Sequence, residues 1–164
     1  MTTTALLDEA RGLLDETVDL RRRIHRHPEI GLTLPRTQQT VLQALDGLGL
    51  KTRTGQKTTS VVAVLEGARP GPTMLLRADM DALPLKEDTG LPFASEVDGA
   101  MHACGHDTHV AMLVSAAKML VKRRATLPGQ IVFMFQPGEE GYHGAKVMIE
   151  EGLLEGDTKP DAAF

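Results

Sequence analysis

The run "QIVFMFQ", Gln130 to Gln136, constrains the fold more than any other stretch of the chain. Its central residues are apolar without interruption, and a glutamine stands at each end. A strand with one wet face alternates apolar and polar side chains, whereas a strand apolar throughout needs cover on both faces. The chain must therefore supply covering elements for two sides of one sheet. Two further β-rich runs, "SVVAVLEG" (Ser60 to Gly67) and "TMLLRADM" (Thr73 to Met80), suit the same sheet, and "ARPGP" between them is a loop or hairpin signal.

Helical periodicity fills the intervals. Leu6, Leu7, Ala10, Leu13, Leu14, Thr17 or Val18, and Ile24 recur at helical spacing over residues 4 to 26. Pro28 ends that pattern, because the residue before a proline resists the helical region. A second helix is expected over 36–48, with Val41, Leu42, Leu45 and Leu48 on one side and Gly49 near its end. A third is expected from Thr108 to about Arg124, with Val110, Leu113, Val114, Ala117, Leu120 and Val121 as its inner stripe. A short helix over 145–151 closes at Gly152, and "PDAAF" reads as the opening of one more strand. This alternation predicts an α/β domain with a mixed or mostly parallel central sheet flanked by helices. Aromatic residues make up only 3% of the chain, so the core must be aliphatic. A buried strand opening so close to the last residue is expected of a piece of a larger domain.

Charge and cysteine content narrow the function classes. A net charge of -4 with no offsetting basic face argues against nucleic acid, and "RRRIHR" (Arg21 to Arg26) reads as a solvated helix end. One cysteine cannot form an internal disulfide, which fits a reducing, cytoplasmic setting. The N-terminal "MTTTALLDEARGLL" is polar and lacks the apolar core of a signal peptide, and no run approaches a membrane span.

The polar outliers sit where chemistry is expected. "RADMDALP" follows the apolar "TMLL", "HACGHD" precedes a helix, and "QPGEEG" follows "IVFMF". In open α/β sheets, loops beyond the carboxyl ends of strands converge on a ligand crevice. That rule places Asp79, Asp81, Cys104, His106, Glu139 and Glu140 at one sheet edge. Cys104 and His106 flank one glycine, so in an extended backbone their side chains share a side, and Gly105 allows close approach to an ion. A thiolate with an imidazole suits zinc; imidazole with carboxylates also suits manganese, cobalt or nickel. The structural alternative is a free cysteine beside a helix N-cap, with Asp107 capping and His109 in the first turn. The local spacing favours the ligand pair.

Glu139 and Glu140, being adjacent, cannot share one direction and suit split roles, one ligating a metal and the other taking a proton from water. A solvated acidic loop is the competing reading, and the residues leave both open. Asp79 and Asp81 alternate across Met80, so one can face the site while the other turns away. A carboxylate that orients a ligating imidazole or supports a second metal, and a strand-end Asx turn, fit them equally. His25 and His27 read as structural groups near a helix C-terminus. His102 and His143 read as bystanders or pocket lining.

"HRHPEIG", "RADMDALP", "MHACGHDTHVAML" and "FQPGEEG", in this order, resemble the M20 metallopeptidases and amidohydrolases. The likeness is to the branch that hydrolyses N-acyl amino acids, which includes hippurate hydrolases, and it runs from about Leu20 to Phe164. It implies a catalytic α/β domain binding two divalent ions (manganese, zinc, cobalt or nickel) and a small-molecule N-acyl amino acid substrate. It also implies a smaller lid domain that mediates association into a homodimer or higher oligomer. By motif, Cys104, His106 and Glu140 match metal ligands, Glu139 the general base and Asp81 a catalytic aspartate; Asp79 stays open. The cysteine ligand separates this branch from relatives that carry aspartate there. Residues 1–164 then correspond to the N-terminal part of the catalytic metal-binding domain. Two histidine ligands, the lid and the rest of the domain are expected beyond residue 164, and the chain alone is expected to be an inactive half-domain that binds metal weakly. Pro35 stands where the family carries an acidic residue, and "YHGA" replaces a glycine-rich run after "EEG"; both bear on loop shape. A structural zinc module does not fit, because it needs four Cys or His ligands in paired spacings.

Overall fold

A computed structural model describes residues 3–164; Met1 and Thr2, at the head of the polar N-terminal stretch, lie outside the described residues. The elements are α1 (Thr3–Gly12), α2 (Leu14–Arg26), α3 (Pro35–Leu45), β1 (Lys51–Thr54), β2 (Val61–Glu66), β3 (Arg69–Asp79), α4 (His106–Val121), β4 (Pro128–Gln136), α5 (Gly144–Glu150), a 3-10 turn (Gly156–Thr158) and β5 (Ala162–Ala163). The sheet order is β1-β2-β4-β3-β5. β1–β2 and β2–β4 pair antiparallel, while β3–β4 and β3–β5 pair parallel, so the sheet is mixed.

β4, the apolar run, takes the central position, where both faces are covered. On one face Ala63, Leu65, Ile131, Phe133, Phe135, Ala78 and Met80 pack with Leu20, Ile24, Val41, Leu45, Val110, Val114 and Ala117 from α2, α3 and α4. On the other, Val62, Leu75, Val132 and Met134 meet Met148 of α5 and Leu153. The hairpin reading of "ARPGP" is corrected: β2 and β3 do not pair, because β4 lies between them. Only a central strand can bury an unbroken apolar run, so β4 displaces the direct pairing.

Other sequence expectations shift for local reasons. The single helix over 4–26 is two, broken at Leu13 after Gly12, a residue costing roughly 1 kcal/mol relative to Ala inside a helix. α1 buries no residue, and Leu6, Leu7 and Leu14 are exposed; α2 alone reaches the core, through Leu20 and Ile24. α3 stops at Leu45, and α4 begins at His106 rather than Thr108. β1 was not expected, because "KTRT" is polar and exposed along its length. Such charged residues are what an edge strand tolerates. Among the described residues, no helix is long and apolar enough to cross a membrane.

Candidate metal centre

The parallel pair β3 and β4 ends level, with Asp79 opposite Gln136. The Met80 N–H donates to the Gln136 carbonyl at 2.8 Å, so the segments carrying Asp81 and Glu139–Glu140 leave the sheet side by side. Helix α4 reaches the same edge through a long loop over 80–105, tied down by a bridge between Leu83 and Met101. Gly105 adopts φ 90°, a left-handed turn that only glycine enters without penalty, and it delivers His106 as the first residue of α4.

Cys104, His106 and Glu140 each offer one donor atom, all within 4.8 Å of one another. His106 is buried and Cys104 exposed. His106 Nδ1 lies 2.8 Å from the Asp81 carbonyl oxygen, which can only accept, so Nδ1 donates and Nε2 keeps the lone pair for a metal. Asp81 is 1% exposed. Its Oδ1 accepts from the Glu139 N–H at 2.9 Å and its Oδ2 from the Glu140 N–H at 3.0 Å. One carboxylate therefore grips the "GEE" turn from behind while its backbone aims the imidazole. The two glutamates diverge: Glu140 joins the donor set, and Glu139, with its side chain 40% exposed, holds Oε2 3.9 Å from His106 Nε2. Asp79 gives Oδ1 to Arg77, with Nε at 2.9 Å and Nη2 at 2.8 Å, and holds Oδ2 4.0 Å from His109 Nδ1, so it lies beside His106 and His109 and not with Cys104 and Glu140.

The charges around these groups suit a cation. Burial alone would raise the Asp81 carboxyl, but the His106 side chain and the Glu140 and Glu139 N–H groups hold it below the usual carboxylate range. Burial would lower His106, but the side chain and carbonyl of Asp81, with Asp79 nearby, hold it above the usual imidazole value. Burial and the carboxylates of Glu140, Glu139 and Asp79 push the Cys104 thiol up. A sulfur, an imidazole nitrogen and a carboxylate oxygen converge in a region rich in negative charge, and this donor set fits a divalent ion. Binding must displace the thiol proton, so apparent affinity is expected to rise about tenfold per pH unit below the thiol pKa, and more steeply where His106 is also protonated. Titration calorimetry with Zn²⁺ at several pH values measures this slope; a pH-independent affinity would exclude Cys104 as a thiolate ligand.

Three sequence readings are corrected here. Asp107 is not a helix cap, since Gly105 occupies that position without a side-chain bond. Asp107 is instead fully buried, and its Oδ2 accepts from Arg21 Nε and His25 Nδ1, both at 2.7 Å. His25 is not a helix-end imidazole in water: it is 3% exposed, and its Nε2 reaches Glu87 at 3.2 Å. The "RRRIHR" run is not merely solvated, because Arg21 and Arg22 stack over Phe93 at 5.0 and 4.9 Å. The four-residue array Arg21–Asp107–His25–Glu87 thus clamps the first turn of α4, next to His106, onto α2 and the 80–105 loop. Arg21 and His25 lie one turn apart on α2 and so reach the same carboxylate, whose position 86 and 82 residues away no local pattern marks. His27 ends α2, with Nδ1 3.7 Å from Glu96. His102 is buried with neither ring nitrogen hydrogen-bonded, and burial, against the opposing pull of Asp107, holds its pKa down at about 4. His143 is exposed at φ 57° before α5 and joins neither group of candidate metal donors among the described residues.

A mixed α/β sheet with metal donors beyond the ends of its parallel strands has the architecture of the catalytic domains of M20 peptidases. The chain belongs to peptidase family M20/M25/M40, whose family model matches residues 75–164. It is 46% identical over 154 residues to thermostable carboxypeptidase 1 of Saccharolobus solfataricus, covering 92% of this chain and 39% of that protein. It is 40% identical over 154 residues to the N-acyl-L-amino acid amidohydrolase of Geobacillus stearothermophilus, covering 91% and 42%. Its fold matches the crystal structure of the YXEP protein of Bacillus subtilis, described as a dinuclear metal binding peptidase, with a TM-score of 0.85 and 41% identity, covering 89% of this chain and 41% of that one. The chain spans about two fifths of the length of these relatives.

Proposed function

We propose that the chain is the N-terminal, metal-binding part of a hydrolase that uses an activated water to cleave the amide bond of N-acyl amino acids or small peptide-like substrates. The observation that supports this reading is the divergence of two adjacent glutamates from one anchor: Glu140 shares a donor set with Cys104 and His106, while Glu139, 3.9 Å from His106 Nε2, belongs to neither candidate set among the described residues. Relatives with amidohydrolase, deacetylase and carboxypeptidase names support the substrate class. In this reading Cys104, His106 and Glu140 are ligands in a centre of two divalent ions (manganese, zinc, cobalt or nickel), completed by residues outside this chain.

When bound, the ions supply Lewis acidity, which acidifies water and polarises the scissile carbonyl. Glu139 takes a proton from the water as its oxygen bonds to the acyl carbon, then passes that proton to the amine nitrogen as the C–N bond breaks. Asp81 acts as a positioning residue, holding the main chain of both glutamates and the tautomer of His106. The partners proposed are a small-molecule substrate and a second copy through a lid domain, with no nucleic acid or membrane, in the cytoplasm.

In the protein completed to its relatives' length, chelation is expected to abolish hydrolysis of N-acetyl amino acids, and Mn²⁺, Co²⁺ or Zn²⁺ to restore it. Undiminished hydrolysis after verified metal removal would sink the reading. The 164-residue chain alone, which spans only part of its relatives, is proposed to bind metal without turnover. Two tightly held ions per monomer by elemental analysis would defeat that half-domain reading.

A further inference from the structure

We propose that the cleft between the end of α2 and the start of α3 binds a small oxyanion, a free phosphate or the phosphoryl group of a small ester, held by Arg23 and Arg36. The inference is independent of the metal centre and of the hydrolytic reaction. A cavity of about 140 Å³ opens there, lined by Arg23, Ile24, His27, Arg36, Thr37 and Thr40. Drug-sized ligands fill about 300–1,000 Å³, so this volume suits one compact polar group. Arg23 stands in the last turn of α2, His27 at its C-cap, and Arg36 in the first turn of α3. Three basic side chains from two helices therefore border one small volume.

The two guanidiniums stand out from the other arginines. Arg21 pairs with Asp107, Arg26 with Glu96, Arg77 with Asp79 and Arg123 with Glu9, while Arg22 lies over Phe93. The guanidinium groups of Arg23 and Arg36 have no ion pair, hydrogen bond or ring contact among the described residues. The nearby carboxylates are committed elsewhere. Glu29 accepts from the Thr37 N–H and hydroxyl, each at 2.8 Å, and from the Arg36 N–H at 3.3 Å, so it closes the N-terminus of α3. Glu96 lies 3.9 Å from Arg26 and 3.7 Å from His27. Arg23 also borders a wider cleft with Glu16 and Asp46, where Glu16 is taken by Lys118. Like charges that share a cleft without a counter-ion raise the local potential, and that potential draws in an anion.

The donors set the class of ligand. A guanidinium is a planar fork of N–H groups that matches two oxygens at once, the geometry of phosphate. The hydroxyls add no donor, because Thr37 Oγ1 gives its hydrogen to Glu29 and Thr40 Oγ1 to the Arg36 carbonyl, at 2.8 Å each. Recognition therefore rests on the forks. A carboxylate offers two oxygens, enough for one fork, whereas a phosphoryl group has enough for both. Arg23 and Arg36 are exposed, so the ligand reaches them directly from solvent.

The test titrates inorganic phosphate, and separately methyl phosphate, into the isotope-labelled 164-residue chain and follows the arginine Nε–H resonances. Those of Arg23 and Arg36 are expected to move together along one saturable curve, while that of Arg53, on the exposed edge strand β1, stays in place. Sulfate is expected to displace phosphate, and acetate at equal ionic strength to do so about tenfold less well. R23Q/R36Q is expected to weaken binding about tenfold or more. Both positions are exposed, so the variant keeps its fold, which far-UV circular dichroism checks. Tighter binding of methyl phosphate assigns the site to a phosphoryl ester, and tighter binding of inorganic phosphate assigns it to the free ion. Shifts spread evenly over all exposed arginines overturn the site, as does an affinity unchanged in R23Q/R36Q. Resonances of Arg23 and Arg36 that ignore both ligands in the folded chain overturn it as well.

Discussion

Glu139→Gln, in the protein completed to its relatives' length, is expected to lower kcat by about 10²–10⁴-fold, the range a positioned general acid–base contributes. The substitution keeps the size of the side chain and removes only its capacity to take a proton. The N–H of residue 139 still donates to Asp81, so the turn stays anchored. Glu139 lies outside the Cys104–His106–Glu140 donor set, so bound metal is expected to stay constant while turnover falls. Glu140→Gln should show the opposite order, losing metal first. Steady-state kinetics on an N-acetyl amino acid, paired with elemental analysis, separates the two. A parental rate in Glu139→Gln defeats the base assignment; loss of metal together with rate makes Glu139 a ligand instead.

Asp107→Ala is expected to destabilise the fold by about 3 kcal/mol, at the lower end of the cost of removing one partner from a buried ion-paired array. Arg21 is partly exposed and can turn to water, but His25 at 3% exposure is left beside an emptied cavity. Asp107→Asn, which keeps one acceptor oxygen, should cost less. Urea unfolding at unchanged m measures both. A loss below about 1 kcal/mol for Asp107→Ala would mean that the array adds little to stability. Because Asp107 follows His106 in the first turn of α4, the Ala variant is also expected to bind metal more weakly, even where it remains folded.

The sequence was most legible where one residue pattern admitted one environment. "QIVFMFQ" could only be a strand covered on both faces, and the polar groups beyond the apolar strands could only emerge at a sheet edge. Glu139 and Glu140 do emerge there, and the loop over 80–105 brings Cys104 and His106 to the same edge. Local pattern fails where partners are distant in the chain: Arg21 and Asp107 are 86 residues apart, and His25 and Glu87 are 62 apart. Nothing near "RRRIHR" says that these charges face a buried carboxylate instead of water. Helical periodicity also misleads about burial. Leu6 and Leu7 keep the spacing of a core-facing stripe, yet α1 meets too little of the domain to bury them. β1, a polar edge strand exposed along its length, carries no apolar alternation to mark it.

The grip of Asp81 on the Glu139 and Glu140 N–H groups spans 58 and 59 residues of chain. During synthesis, Cys104 and His106 leave the ribosome well before Glu140 does. A thiol and an imidazole therefore wait in the open without their carboxylate partner or its anchor. The complete donor set comes into being only when β4 has slotted between β2 and β3 and the turn behind it closes on Asp81. In the proposed reading, an ion can therefore be held by all three donors only once β4 has paired with β3 and the turn behind it has reached Asp81.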